Sequence, residues 1–266
     1  MSSSDHSWGS DGASPSRLGF DNLGDNGEGD SWEGDAPSEP RGGWSFQPRG
    51  YERTAVLLPG WATDTRIFSP LELPFNLITP HRLITRDIDS LAVYLPTIGC
   101  DRVLLIGWSL GGFAAMNFAR RFPHLVAHQV LIGIRRHYPD DQLGEIDEAL
   151  RDDPPRCLTG FYRQCFLPAQ RKDYRWFRAA LEPAYLRDFY EHELHDGLYA
   201  LAEAEVMSDM LTCCPTTIIH GEQDIIAPAA EARELAAQTG TPFHLLPNTG
   251  HAAFLSDEFT GCTGWI

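Results

Sequence analysis

Apolar and polar positions divide the chain into two regimes. From Thr54 onward, short unbroken apolar runs alternate with amphipathic stretches, whereas residues 1–40 contain almost no aliphatic run. Thr54-Ala55-Val56-Leu57-Leu58, stopped by Pro59-Gly60, reads as a strand buried on both faces. Val103-Leu104-Leu105-Ile106 is the strongest strand signal and Leu83-Ile84-Thr85 a weaker one. Residues 110–122 predict a helix closed by Pro123. Further strands are expected over 126–134, at Thr216-Thr217-Ile218-Ile219 and at Phe243-His244-Leu245-Leu246, with a helix over 229–238 ending at Gly240. Alternation of this kind predicts an α/β fold with a mainly parallel sheet and helices on both faces.

Residues 135–210 break the pattern. They hold no convincing strand but several helix-like blocks, at 142–151, 157–166 and 188–210. The expected organisation is a core of residues 46–134 and 211–266 with a helical cap, 135–210, inserted between two strands. Such an insertion would stand over the C-terminal edge of the sheet, where open α/β sheets place ligands.

Composition changes the reading of the first segment. Gly, Ser, Pro and Asp dominate it, and nine acids against the single base Arg17 leave it at −8, half of the chain's formal −16. A stretch that apolar-poor cannot offset its ordering entropy, so residues 1–45 are expected to be a disordered acidic tail. The remainder is moderately acidic and has no overall basic stripe, which argues against nucleic-acid binding. Neither a basic start with an apolar run nor an 18-residue apolar stretch is present, so a cytoplasmic protein without a membrane partner is expected. The six cysteines form no CxxC pair and read as reduced packing thiols in a monomer.

Three loops carry the chemistry. Gly107-Trp108-Ser109-Leu110-Gly111 fits G-x-S-x-G between the best strand and a helix. That setting allows a nucleophile elbow, in which strand, turn and helix pack so closely that the flanking positions must be glycine. The competing reading is a glycine-rich turn with an incidental serine. A serine hydroxyl is a weak nucleophile and needs a base held by a carboxylate. Asp224 follows one strand end and His251 the next, in the order Ser, acid, His, with Glu222 as the fallback acid. His220 reads as structural. The oxyanion of acyl transfer needs donors, which position assigns to the backbone N–H groups of Leu110 and Trp61. No metal or organic cofactor is implied, since these side chains supply nucleophile and proton shuttle. The stretch from Arg156 to Arg178 holds six bases against Asp173 alone, a local +5 in an acidic chain. It reads either as a solvated helix face or as a docking patch for an anionic partner.

At Leu57-Leu58-Pro59-Gly60-Trp61, Gly107-Trp108-Ser109-Leu110-Gly111-Gly112, His220-Gly221-Glu222-Gln223-Asp224 and Gly250-His251-Ala252-Ala253-Phe254 the chain resembles the α/β-hydrolase superfamily. Within it, these residues most resemble the pimeloyl-acyl-carrier-protein methyl ester esterases of biotin synthesis. The resemblance implies a serine carboxylesterase with Ser109, Asp224 and His251 as triad and an ester substrate borne by acyl carrier protein. It makes Trp61 and Phe161 substrate-binding residues, and Arg156 and Arg175 carrier contacts. A general short-chain esterase, a C–C hydrolase or a perhydrolase could use the same triad; a non-catalytic interaction protein is the remaining class. Two departures stand out. Pro59-Gly60 replaces the His-Gly that braces the oxyanion loop in many members, and only fifteen residues follow His251. Both departures predict looser hold on the loops concerned.

Overall fold

The computed structural model describes residues 43–82, 87–166 and 168–261. The expected tail before Gly43 and the strand expected at Leu83-Ile84-Thr85 lie outside the described residues. The described strands are β1 Trp44–Gln47, β2 Thr54–Leu58, β3 Asn76–Pro80, β4 Val103–Trp108, β5 Val126–Ile132, β6 Thr216–Gly221 and β7 Phe243–Leu246. They form one sheet in the order β1-β3-β2-β4-β5-β6-β7, parallel throughout except for β1, which runs antiparallel to β3. All six residues of β4 and all five of β2 are buried, as unbroken apolar runs in a two-sided sheet require.

Two strands carry no strong sequence signal. Asn76–Pro80 has two polar residues and a terminal proline, yet Ile78, Thr79 and Pro80 are buried between β2 and β1. β1 is short, and its Trp44 indole is buried and donates to Ser90 Oγ at 2.8 Å. The core therefore begins before residue 46, the expected boundary.

Helix α1 Ser90–Thr97 precedes β4, α2 Leu110–Arg121 follows it, and α9 Ala229–Thr239 connects β6 to β7. Between β5 and β6 the described residues form α3 Asp140–Asp152, α4 Pro154–Phe166, α5 Arg171–Ala180, α6 Glu182–Asp188, α7 Glu191–Ala202 and α8 Ser208–Thr212. The block expected at 188–210 is thus not one helix. Phe189 and Tyr190 are extended, and past Glu203 the chain turns back so that Val206 N–H donates to Arg136 O at 2.9 Å. α10 Asp257–Gly261 follows β7, and no helix among the described residues is long and apolar enough to cross a membrane.

The topology fixes where a site can form. Chain order along the sheet reverses beside β2, whose neighbours are β3 and β4. A crevice opens past the C-terminal ends of strands at such a reversal. The loops after β2, β4, β6 and β7 all emerge on that edge.

Candidate active site

β4 runs into α2 through a single residue, Ser109, at φ 53° and ψ −118°. Residues bearing a Cβ rarely occupy positive φ, so the surroundings must enforce it. Ser109 N–H donates to Ile132 O at 2.9 Å, and Ser109 O accepts from Gly112 N–H at 2.8 Å. The turn is also compressed. A Cβ on Gly107 would stand 2.5 Å from Gly111 O, and one on Gly111 would stand 2.1 Å from Leu58 O. The glycines are thus needed for β4, α2 and β2 to pack this closely.

Asp224 and His251 come together at the ends of β6 and β7. His251 Nδ1 lies 2.7 Å from Asp224 Oδ2, both side chains being fully buried. The other carboxylate oxygen, Oδ1, accepts from the N–H groups of Ile226 and Ala227 at 2.9 Å each. Burial alone would push the Asp224 carboxyl up. The charge of His251 and hydrogen bonds from His220 and His251 outweigh it and hold the group well below the usual carboxylate range. Glu222, the fallback acid, is exposed and accepts instead from Asn248 N–H at 3.3 Å. His220 is buried, donates through Nε2 to Ala227 O at 2.6 Å, and lies 3.4 Å from Asp224 Oδ2.

His251 Nε2 is buried and has no hydrogen-bond partner among the described residues. Ser109 Oγ lies 3.5 Å from Tyr138 OH. Serine–histidine contacts are often loose without substrate and tighten in the reacting complex. Tyr138 follows β5 in a loop with no motif, so nothing in the sequence announces it. Its ring lies under the Arg135 guanidinium, 5.1 Å from the centroid, and burial pushes its phenol well above the ordinary value, leaving a neutral donor. Cys165 lies nearby, but burial and then the Asp224 charge push its thiol up, which removes it as a competing nucleophile.

The loop after β2 is braced from within and from α4. Thr63 Oγ1 donates to Gly60 O at 2.9 Å, and Tyr162 OH of α4 donates to Ala62 O at 2.7 Å. Trp61 Nε1 donates to Leu194 O of α7 at 2.8 Å, and the indole lies so close to α7 that a Cβ on Gly197 would stand 2.5 Å from its Cδ1. Leu110 N–H belongs to the first turn of α2, where no intrahelical acceptor exists. Tyr162→Phe leaves the Ala62 carbonyl buried and unpaired, so urea denaturation is expected to show a loss of about 1–3 kcal/mol.

Residues 26–260 match the alpha/beta hydrolase family. The chain belongs to that family. It is 31% identical over 238 residues to a pimeloyl-acyl-carrier-protein methyl ester esterase of Aromatoleum aromaticum, covering 80% of this chain and 90% of the relative. It is 24% identical over 191 residues to the serine hydrolase BPHL of Mus musculus, covering 68% of this chain and 60% of the relative. The fold is similar to that of a thermophilic esterase of Thermogutta terrifontis, with a TM-score of 0.70, 20% identity, and coverage of 82% and 90% of the two chains. The protein is accordingly a hydrolase.

In this hydrolase a cavity of about 540 Å³ reaches the strip formed by Gly60, Trp61 and Leu110. Leu194, Phe189 and Gly197 line it, as do the Arg66–Asp64, Arg66–Asp188 and Arg82–Glu193 ion pairs. Phe161, Arg156 and Arg175 are not on its wall. Phe161 packs edge-on against Trp61, with centroids 4.7 Å apart, while Arg156 and Arg175 are exposed on α4 and α5. Among the described residues no group of His, Cys, Asp or Glu is arranged to hold a metal ion.

Proposed function

We propose that this chain is a serine carboxylesterase that hydrolyses pimeloyl-acyl-carrier-protein methyl ester in the cytoplasm. The observation that carries the serine mechanism is the buried Asp224–His251 pair, 2.7 Å apart, on the sheet edge that also bears the strained Ser109. Ser109 Oγ attacks the ester carbonyl while His251 Nε2 takes its proton. The N–H groups of Trp61 and Leu110 receive the oxyanion, and the same proton leaves with methanol. Water then attacks the acyl-enzyme, giving a proton to His251, which returns it to Ser109 as the acid departs. Asp224 keeps the proton on Nδ1 and stabilises the imidazolium formed in each step.

The substrate is proposed on the similarity to the Aromatoleum aromaticum esterase and on the basic face of residues 135–210, read as a cap. Arg156, Arg163, Arg171, Lys172 and Arg175 are exposed, and none has a carboxylate within 4.0 Å among the described residues. An exposed cationic face in a chain of formal charge −16 suits an acidic carrier protein. The hydrolase should therefore favour pimeloyl-carrier-protein methyl ester over the free methyl ester by roughly tenfold or more in kcat/KM. Equal values would overturn carrier docking and leave a general esterase, the reading favoured by a cavity wall that lacks Arg156 and Arg175. The double variant R156E/R175E is expected to raise KM for the carrier-bound ester by roughly three- to tenfold and to leave short p-nitrophenyl esters unaffected.

A further inference from the structure

One side chain bonds the backbone of both residues that flank His251. Gly250 N–H donates to Gln170 Oε1 at 2.9 Å, and Gln170 Nε2 donates to Ala252 O at 3.0 Å. The same Nε2 donates to Asp173 Oδ2 at 3.0 Å, so both amide hydrogens and the carbonyl oxygen are engaged. The amide has one orientation only. Reversed, it would set its NH₂ against the Gly250 N–H and its oxygen against the Ala252 oxygen. Gln170 is 5% exposed and stands between α4 and α5, and the last turn of α4 accepts Ala252 N–H at Cys165 O, 3.1 Å away. Trp108 Nε1 in turn donates to His251 O at 2.9 Å.

Among the described residues the imidazole itself has one hydrogen bond, Nδ1 to Asp224. The direction of Nε2 therefore depends on where the backbone of residues 250–252 is held. We infer that Gln170 is a positioning residue that acts through His251 by fixing the backbone of Gly250 and Ala252 on either side of it. The inference rests on reading His251 as the base for Ser109. It gives residues 135–210 a part in the chemistry in addition to enclosing substrate.

Gln170→Met keeps the side chain's length and removes every hydrogen bond; Gln170→Glu still accepts from Gly250 N–H but cannot donate to Ala252 O. Both full-length variants are assayed on p-nitrophenyl acetate well below their melting temperatures, with circular dichroism as the check on folding. The expected result is a kcat on the order of ten- to a hundredfold lower for Gln170→Met, an intermediate value for Gln170→Glu, and KM within about twofold of the parent. Phosphonylation of Ser109 by a fluorophosphonate should slow in parallel, since it needs the same base. A lower melting temperature with parental kcat in the folded variants would overturn the inference, as would a change confined to KM. Should Gln170→Met fail to fold, Gln170→Glu decides by the same criteria. Ser109→Ala separates the two levels. If it still turns over, the assignment of nucleophile and base fails; if it is inactive and Gln170→Met is fully active, the positioning role alone fails.

Discussion

Ser109→Ala is expected to lower kcat by about 10⁵–10⁶-fold, leaving only what the oxyanion donors and binding provide. The expected loss is chemical, because the substitution barely touches the fold. Alanine keeps the Cβ that makes φ 53°, ψ −118° unfavourable, so it retains the strain and removes the hydroxyl alone. Ser109→Gly gives the complementary result. It should be as inactive as Ser109→Ala yet melt higher, because glycine occupies that conformation without the strain of roughly 1–3 kcal/mol borne by other residues. A kinetic and calorimetric comparison of the two variants tests both claims. Substantial turnover by either would refute Ser109 as the nucleophile, and equal melting temperatures would refute the strain.

Asp224→Asn is expected to cost about 10⁴-fold in kcat with a small change in KM. The reason lies in which oxygen faces which partner. Oδ1 is committed to the N–H groups of Ile226 and Ala227, so asparagine must place its carbonyl there and turn its NH₂ toward His251 Nδ1. Nδ1 then becomes an acceptor, and the ring proton moves to Nε2, the atom that must receive the serine proton. Glu222 offers no substitute, being exposed and turned toward Asn248. Steady-state kinetics of Asp224→Asn within tenfold of the parent would mean that the carboxylate does not set the tautomer.

The legible parts of this molecule were those written in local chemistry. β2 and β4 are unbroken apolar runs, and the glycines of the elbow occupy positions where a side chain collides with backbone. The loops bearing Ser109, Asp224 and His251 could be placed because each follows a strand end. β1 and β3 were harder to find because their burial depends on neighbours distant in sequence: Trp44 on Ser90, and Ile78 on the strands on either side. Tyr138, Tyr162 and Gln170 left no signal for the same reason. Their partners at the site lie between 29 and 100 residues away, and no spacing rule connects them. Phe161 was readable as an aromatic near the site, but its packing against Trp61 rather than on the cavity wall was not. The expected weakness of the His251 loop follows a comparison of chain lengths. The bonds from Gln170, Cys165 and Trp108 that hold it are tertiary.

The ties from Tyr162 and Leu194 to the loop after β2, and from Gln170 and Cys165 to the His251 loop, bear on modularity. Helical insertions over an α/β sheet invite exchange, as if specificity could be traded while the chemistry stayed behind. Here a transplanted insertion would have to bring its own phenol, its own amide and a backbone carbonyl for the indole, each at the same place. A chimera made by joining segment ends alone would inherit the three side chains proposed for catalysis and lose the contacts that hold their loops.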